Sequence, residues 1–157
     1  MSCQIEIKVQ EAEFCLTEVN RSITENRTDI GAVVTFSGLV RDFNEQPDVL
    51  ALTLEHYPGM TEQALEQIAA EAAERWPLQA VHVIHRVGRL TPGDPIVLVA
   101  VASAHRQAAF DGCSFVMDFL KTRAPFWKKE NTRHGDYWVS ARRSDDAAAR
   151  RWKEGEV

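Results

Sequence analysis

The sequence is short of the residues that announce most common chemistries. It holds three cysteines, Cys3, Cys15 and Cys113. That odd number, with no CxxC spacing, excludes a disulfide framework and a thiolate zinc site and fits a reducing cytoplasm. The longest apolar run, IVLVAVA at 96–102, has seven residues, far below the ~20 that a membrane helix needs. The N-terminus lacks the basic-then-apolar order of a secretion signal, so the expected location is the cytoplasm, with no membrane partner. No GxxxxGK[ST] or GxGxxG cradles a nucleotide, no GxSxG forms a nucleophile elbow, and no HExxH marks a zinc helix. The five histidines (56, 82, 85, 105 and 134) do not pair with acids or cysteines at a metal spacing. His82 and His85, three apart on a strand, point to opposite faces. Neither a metal nor a cofactor is expected. Positive charge is also in deficit, with 18 Lys+Arg against 23 Asp+Glu and a formal net charge of −5. Nucleic-acid binding over a broad basic surface is therefore excluded.

What is present suits one globular unit. The 157 residues are expected to form a single domain spanning 1–157. Hydrophobic content of 45% and charged content of 26% are ordinary for a folded domain. Alternation predicts strands over 4–9, 31–41 and 51–57, the second with a bulge or close approach at Gly38. Thr61 reads as the N-cap of a helix over 62–76, ended by Pro77. A strand over 80–87, a TPGD turn at 91–94 and a central strand over 96–102, apolar on both faces, come next. Ser103 reads as the cap of a helix over 104–121 with Phe110, Cys113, Met117 and Leu120 inward. Residues 13–25 suggest a short helix, 42–49 a loop and 137–141 a strand. Ser144 is a candidate cap for a last helix with Asp145 and Asp146 in its first turn. The order β-α-β-β-α-β-β-α-β-α, with short links between strands, predicts an α+β fold built on antiparallel rather than doubly wound pairing.

Against the acidic background, KTRAPFWKKE at 121–130 is anomalous. Lys121, Arg123, Lys128 and Lys129 surround Pro125, Phe126 and Trp127. The segment carries +3, which leaves −8 on the remainder. Such a contrast suits a local pocket for a small anion. An amine beside other cations releases its proton more readily. Its neutral form can act as nucleophile or base and its charged form as acid or oxyanion stabiliser. Cations at a helix C-terminus also serve the dipole, and that reading suffices for Arg123 and Lys129. The flanking aromatics favour a pocket wall for Lys121 and Lys128. SAHR at 103–106 opens a helix after the most buried strand, where backbone N–H groups and the dipole favour anions. His105 and Arg106 add a proton donor and a planar fork. Arg41 ends a strand, a common place for a functional side chain. Trp76, Trp138 and Trp152 read as core or interface aromatics, and Cys113 as inert packing.

GAVVTFSGLVR (31–41), LTLEHYPGMTE (52–62), VIHRVGRLTPGD (83–94), SAHR and MDFLKTRAPFWKKE (117–130) together resemble the large, catalytic subunit family of molybdopterin synthase. The resemblance is colinear from about residue 30 to Trp152. It implies an α/β-hammerhead fold with an additional antiparallel sheet, and a sulfurtransferase active in molybdenum cofactor biosynthesis. The family converts cyclic pyranopterin monophosphate to molybdopterin. Its two sulfurs come from the C-terminal Gly-Gly thiocarboxylate of a small ubiquitin-like subunit of the MoaD type. The implied assembly is a homodimer at the centre of a heterotetramer. Carried onto this chain, Lys121 and Lys128 match the active-site lysines. Arg41, His105 and Arg106 match the residues around the substrate phosphate, with Leu39 and Val40 in the same substrate-binding stretch. Lys129 and Glu130 match the segment beside Lys128. Leu39 stands where related sequences often carry a basic residue, so a backbone contact is the one expected there. Phe126 and Trp127 are expected to exclude water or brace the lysines. The competing reading is a non-catalytic docking module that grips a ubiquitin-like tail without turnover.

Overall fold

A computed structural model of the chain describes residues 3–42, 48–139 and 143–153, without the side chains of 143–146 and 153. The elements are β1 (Gln4–Gln10), α1 (Leu16–Thr24), β2 (Ala32–Leu39), β3 (Val49–His56), α2 (Met60–Arg75), β4 (Leu78–Arg86), β5 (Gly88–Leu90), β6 (Pro95–Ser103), α3 (Arg106–Arg123), β7 (Phe126–Thr132), β8 (Gly135–Val139) and α4 (Arg143–Lys153).

Two four-stranded sheets carry the fold, ordered β1-β4-β6-β2 and β5-β3-β7-β8. All pairings are antiparallel except β1 with β4. This is the expected α+β architecture. The first sheet is sandwiched. Val97, Val99 and Val101 of β6 face one core with Leu65, Ile68 and Ala72 of α2 and Phe115 and Val116 of α3. The alternate residues Leu98, Ala100 and Ala102 face a second core with Ile23 of α1. Burial on both faces explains why β6 is a continuous apolar run. At one edge β2 changes register between Gly38 and Leu39, and a Cβ at Gly38 would press on Val97, which accounts for the glycine.

A third, smaller core of Val40, Leu54, Val87 and Leu90 joins the two sheets, with Phe126 packed against it. At the far side Trp76, Phe115 and Trp152 meet edge to face at 5.5–5.6 Å. Asp118 Oδ2 accepts hydrogen bonds from Trp152 Nε1 at 2.6 Å and from Arg151 at 2.8 Å, and these fasten α4 to α3.

Several expectations are corrected. Strands β5 and β7 were not foreseen. The first has three residues, and the second consists of FWKKENT, whose charges mask its alternation. Helix α2 starts at Met60 with Gly59 as N-cap. Thr61 is instead a buried bridge: it accepts from Tyr57 N–H and donates to the Pro125 carbonyl, both at 3.0 Å. Helix α3 starts at Arg106 with His105 as N-cap. Phe110, expected inward, is 56% exposed. Trp138 is 60% exposed, which rules out the core half of the core-or-interface expectation for it. The loop at 43–47 and residues 140–142 lie outside the described residues. Ser144 falls inside α4 rather than before it, and the side chains of Asp145 and Asp146 lie outside the described residues. Among the described residues no helix is long and apolar enough to cross a membrane.

Candidate active site

The end of the first sheet at which β6 begins gathers most of the flagged cations. Helix α3 runs back along β6 and delivers Lys121, exposed, in its last turn. The helix stops because Ala124, which precedes Pro125, is extended (φ −79°, ψ 130°), as steric clash with a proline ring requires. Phe126 N–H then closes onto the Ala124 carbonyl at 2.9 Å, and the chain leaves as β7. Phe126, Lys128 and Glu130 share one face of that strand, while Trp127 and Lys129 share the other. Across β3 they oppose His56, Leu54 and Leu52 respectively. Lys128 and Glu130 are therefore half-buried beside the small core that joins the sheets.

Val40, buried in that same core, anchors Arg41. Val40 N–H donates to the Asp94 carbonyl at 2.9 Å, and Gly93 N–H donates to the Val40 carbonyl at 2.7 Å. The TPGD turn that supplies both groups is closed by Asp94, whose carboxylate accepts from Thr91 N–H at 2.8 Å and from Thr91 Oγ1 at 3.1 Å. The Thr91 backbone N–H, above all, holds that carboxyl below the usual carboxylate range. Arg41 and Leu39 are exposed on either side of the anchor.

Two histidines that the sequence reading passed over belong to the same place. His85, near the end of β4, is 4% exposed and stacks on Phe126 with ring centroids 3.9 Å apart and planes at 21°. Burial first, opposed by the Arg86 carbonyl and reinforced by Lys121, Lys128 and His56, holds its pKa down to about 4. His56 is the cross-strand partner of Phe126. The available signal was His85 falling in phase with Val81 and Val83, an apolar position that a histidine occupies only at a cost in desolvation.

Two other residues of the stretch face elsewhere. Lys129 lies 3.7 Å from Glu55 and 5.0 Å over the Trp138 ring, on the face opposite Lys128. Trp127 points to that face too and is 47% exposed, so Phe126 is the aromatic beside the lysines. Arg123 pairs with Glu71 at 2.6 Å, the surface role expected of it. Burial pushes the Cys113 thiol up to about 11, which leaves it no nucleophile.

His105 and Arg106 lie at the other end of α3. Ser103 Oγ donates to the Pro77 carbonyl at 2.9 Å and accepts from His105 N–H at 3.4 Å. Gly31 N–H donates to the Ser103 carbonyl at 3.0 Å. A Cβ on Gly31 would collide with the Ala104 carbonyl oxygen, so only glycine fits there. Both His105 and Arg106 are exposed, and no side chain caps the helix. Arg106 and Lys121 are 15 residues apart on one continuous helix, roughly 22 Å at 1.5 Å per residue. Arg41 is likewise remote from His105, because β2 runs antiparallel to β6 with Leu39 opposite Pro95 and Ala32 opposite Ser103. One chain thus holds Lys121 and Lys128 near His85 with Arg41 at the same end of the sheet, and holds His105 and Arg106 apart from them.

Residues 9–123 match the family model described as MoaE protein. The chain belongs to the MoaE family. Among curated MoaE relatives, the molybdopterin synthase catalytic subunit of Pseudomonas aeruginosa is 60% identical over 148 residues, covering 94% of this chain and 99% of the relative. The Escherichia coli K12 protein of the same name is 63% identical over 126 residues, covering 80% and 84%. The solved structure of the molybdopterin biosynthesis MoaE protein from Burkholderia ambifaria superposes with a TM-score of 0.83 at 52% identity, covering 96% of this chain and 99% of that one.

Proposed function

We propose that this chain is the catalytic subunit of a molybdopterin synthase, acting in the cytoplasm as a single-domain sulfurtransferase on a pterin monophosphate. The observation that carries the reading is the convergence of Lys121, Lys128 and Arg41 on one end of the sheet. Both reactants are anions, one a phosphate ester and the other the thiocarboxylate tail of a small ubiquitin-like subunit. A pocket in which they meet must be cationic.

Arg41 grips the phosphate, and Lys121 and Lys128 stabilise the tail carboxylate. The lysines shuttle protons as sulfur attacks and water leaves. Two tails visit in turn, because two sulfurs are installed. His105 and Arg106 supply the remaining phosphate contacts from a second copy of the chain. Their separation of roughly 22 Å from Lys121 along α3 prevents one copy from uniting the set. A two-fold dimer places the open end of one α3 against the lysine end of the other and makes two equivalent sites. Small subunits then occupy the outer ends, and the assembly is a heterotetramer.

The test supplies thiocarboxylated small subunit and pterin precursor to the wild-type protein and to Lys121→Ala. Dithiolene product from the wild type, reduced at least a hundredfold in the variant, is the expected result. Undiminished turnover by Lys121→Ala removes the lysine from its role. Binding of the small subunit without turnover by the wild type establishes the docking-module reading instead.

A further inference from the structure

His85 takes no part in the roles assigned so far, yet it sits close to both lysines that do. In register it pairs with Val9 of β1 and Val97 of β6, so those two strands present no charge to it. The charged or titratable groups that bear on it are Lys121 from α3, Lys128 from β7 and His56 from β3. Its Nδ1 lies 2.8 Å from the Arg86 carbonyl oxygen. A carbonyl can only accept, so Nδ1 carries the proton, and Nε2 on the far edge of the ring keeps a lone pair. The Arg86 carbonyl is itself held in place. Its own guanidinium donates to the Glu11 and Pro95 carbonyls at 3.0 and 2.9 Å, and the next residue, Val87, donates its N–H to Gln10 at 2.9 Å. The ring is therefore fixed along one edge by the backbone and across one face by Phe126. Phe126 precedes Lys128 by two residues on the same face of β7, so whatever fixes Phe126 fixes the point at which the Lys128 stem emerges.

Resting on the function proposed above, we propose that His85 is a positioning residue for the lysine pair. Stacked on Phe126, it sets the start of β7 and offers a neutral Nε2 acceptor to the ammonium groups beside it. A cation at this position would repel both lysines and the anionic tail, whereas a plain aromatic would pack equally well but accept nothing. A neutral imidazole provides the stack and the acceptor together.

Two measurements test this. In spectra of wild-type protein labelled with 15N-histidine, His85 stays in the neutral form protonated at Nδ1 from about pH 8 to about pH 5. An imidazolium at pH 6, or the opposite tautomer, overturns the proposal. Kinetically, His85→Phe keeps the stack and loses the acceptor, while His85→Gln keeps an amide donor for Arg86 and an acceptor. Expected for His85→Phe is a kcat lowered about tenfold or more with the pterin KM within about twofold of wild type. The alkaline limb of its pH–rate profile moves to lower pH, because an ammonium without its acceptor releases its proton more easily. His85→Gln recovers most of the rate. Wild-type kinetics and pH profile in His85→Phe, or equal loss in both variants, overturns the proposal. Lys121→Ala, run alongside, separates the two levels. If it is inactive while His85→Phe is normal, only this inference fails. If Lys121→Ala is itself fully active, the underlying assignment of the site fails.

Discussion

The two ends of α3 differ in how finished they are. At the C-terminal end, cations sit on a prepared bed. Val40 is pinned by a turn, Phe126 by a stacked imidazole, and Lys128 rises beside a small apolar core that joins two sheets. At the N-terminal end the backbone is equally well fixed, through Ser103 and Gly31, but His105 and Arg106 project from it with no side-chain cap on the helix. A backbone this well ordered under two exposed polar side chains suits the role proposed for them. The contrast underlies the assembly proposed above, in which the catalytic set is complete only between copies of the chain.

Perturbing each end in turn sharpens the contrast. The largest effect belongs to the lysines. Lys121→Ala and Lys128→Ala are each expected to lower dithiolene formation by about a hundredfold or more, seen in single-turnover assays, with the fold intact. Next comes the buried imidazole under them. His85 has its pKa lowered to about 4 in the folded protein against 6.5 unfolded. As pH falls below 6.5 the unfolded chain takes up a proton that the folded one refuses. Stability is thus complete above about pH 6.5 and declines by up to about 3 kcal/mol as pH approaches 4. Urea titrations across that range detect the decline, and His85→Phe flattens it by the same amount.

The other end responds differently. Arg106→Ala is expected to raise the pterin KM by about tenfold or more through a lost charged hydrogen bond, with the melting temperature unchanged. Gly31→Ala forces its Cβ against the Ala104 carbonyl. It should destabilise by about 2 kcal/mol, a loss of roughly 6 °C in melting temperature for a chain of this size. The smallest effect is Arg123→Ala, which removes an exposed pair with Glu71. Under about 1 kcal/mol and unchanged turnover are expected. A large kinetic loss there would place Arg123 in the site and break the distinction between the two kinds of cation in KTRAPFWKKE.

Which parts of this were legible beforehand follows from the physics of each segment. Strand β6 could be read directly because burial on both faces leaves a run of seven apolar residues. The close approach at Gly38 was legible from a glycine inside a β-branched stretch. Strand β7 was hidden because its outward residues include Lys129 and its inward ones include Lys128 and Glu130, so hydrophobic alternation is absent where a strand serves a polar site. Phe110 was misplaced because helical phase alone cannot tell a face covered by the sheet from one left open. The basic residues at 41, 105, 106, 121 and 128 stood out as residues, but their division between opposite ends of the fold is a property of α3's length and of the β2–β6 register. His85 was overlooked because an in-phase histidine reads as one more core residue until the charges facing it are known.

Mixing two impaired variants, with pterin held well below the wild-type KM so that each alone is nearly silent, tests the division most directly. Lys121→Ala and Arg106→Ala are purified separately, exchanged into one another in equal amounts and assayed with thiocarboxylated small subunit. If each site draws its lysines from one copy and Arg106 from the other, half of the dimers are mixed and each carries one intact site. Activity then returns to about a quarter of the wild-type level. If both residues serve a site within a single chain, no dimer in the mixture contains an intact site. Activity then stays at that of the separate variants, which contradicts the account.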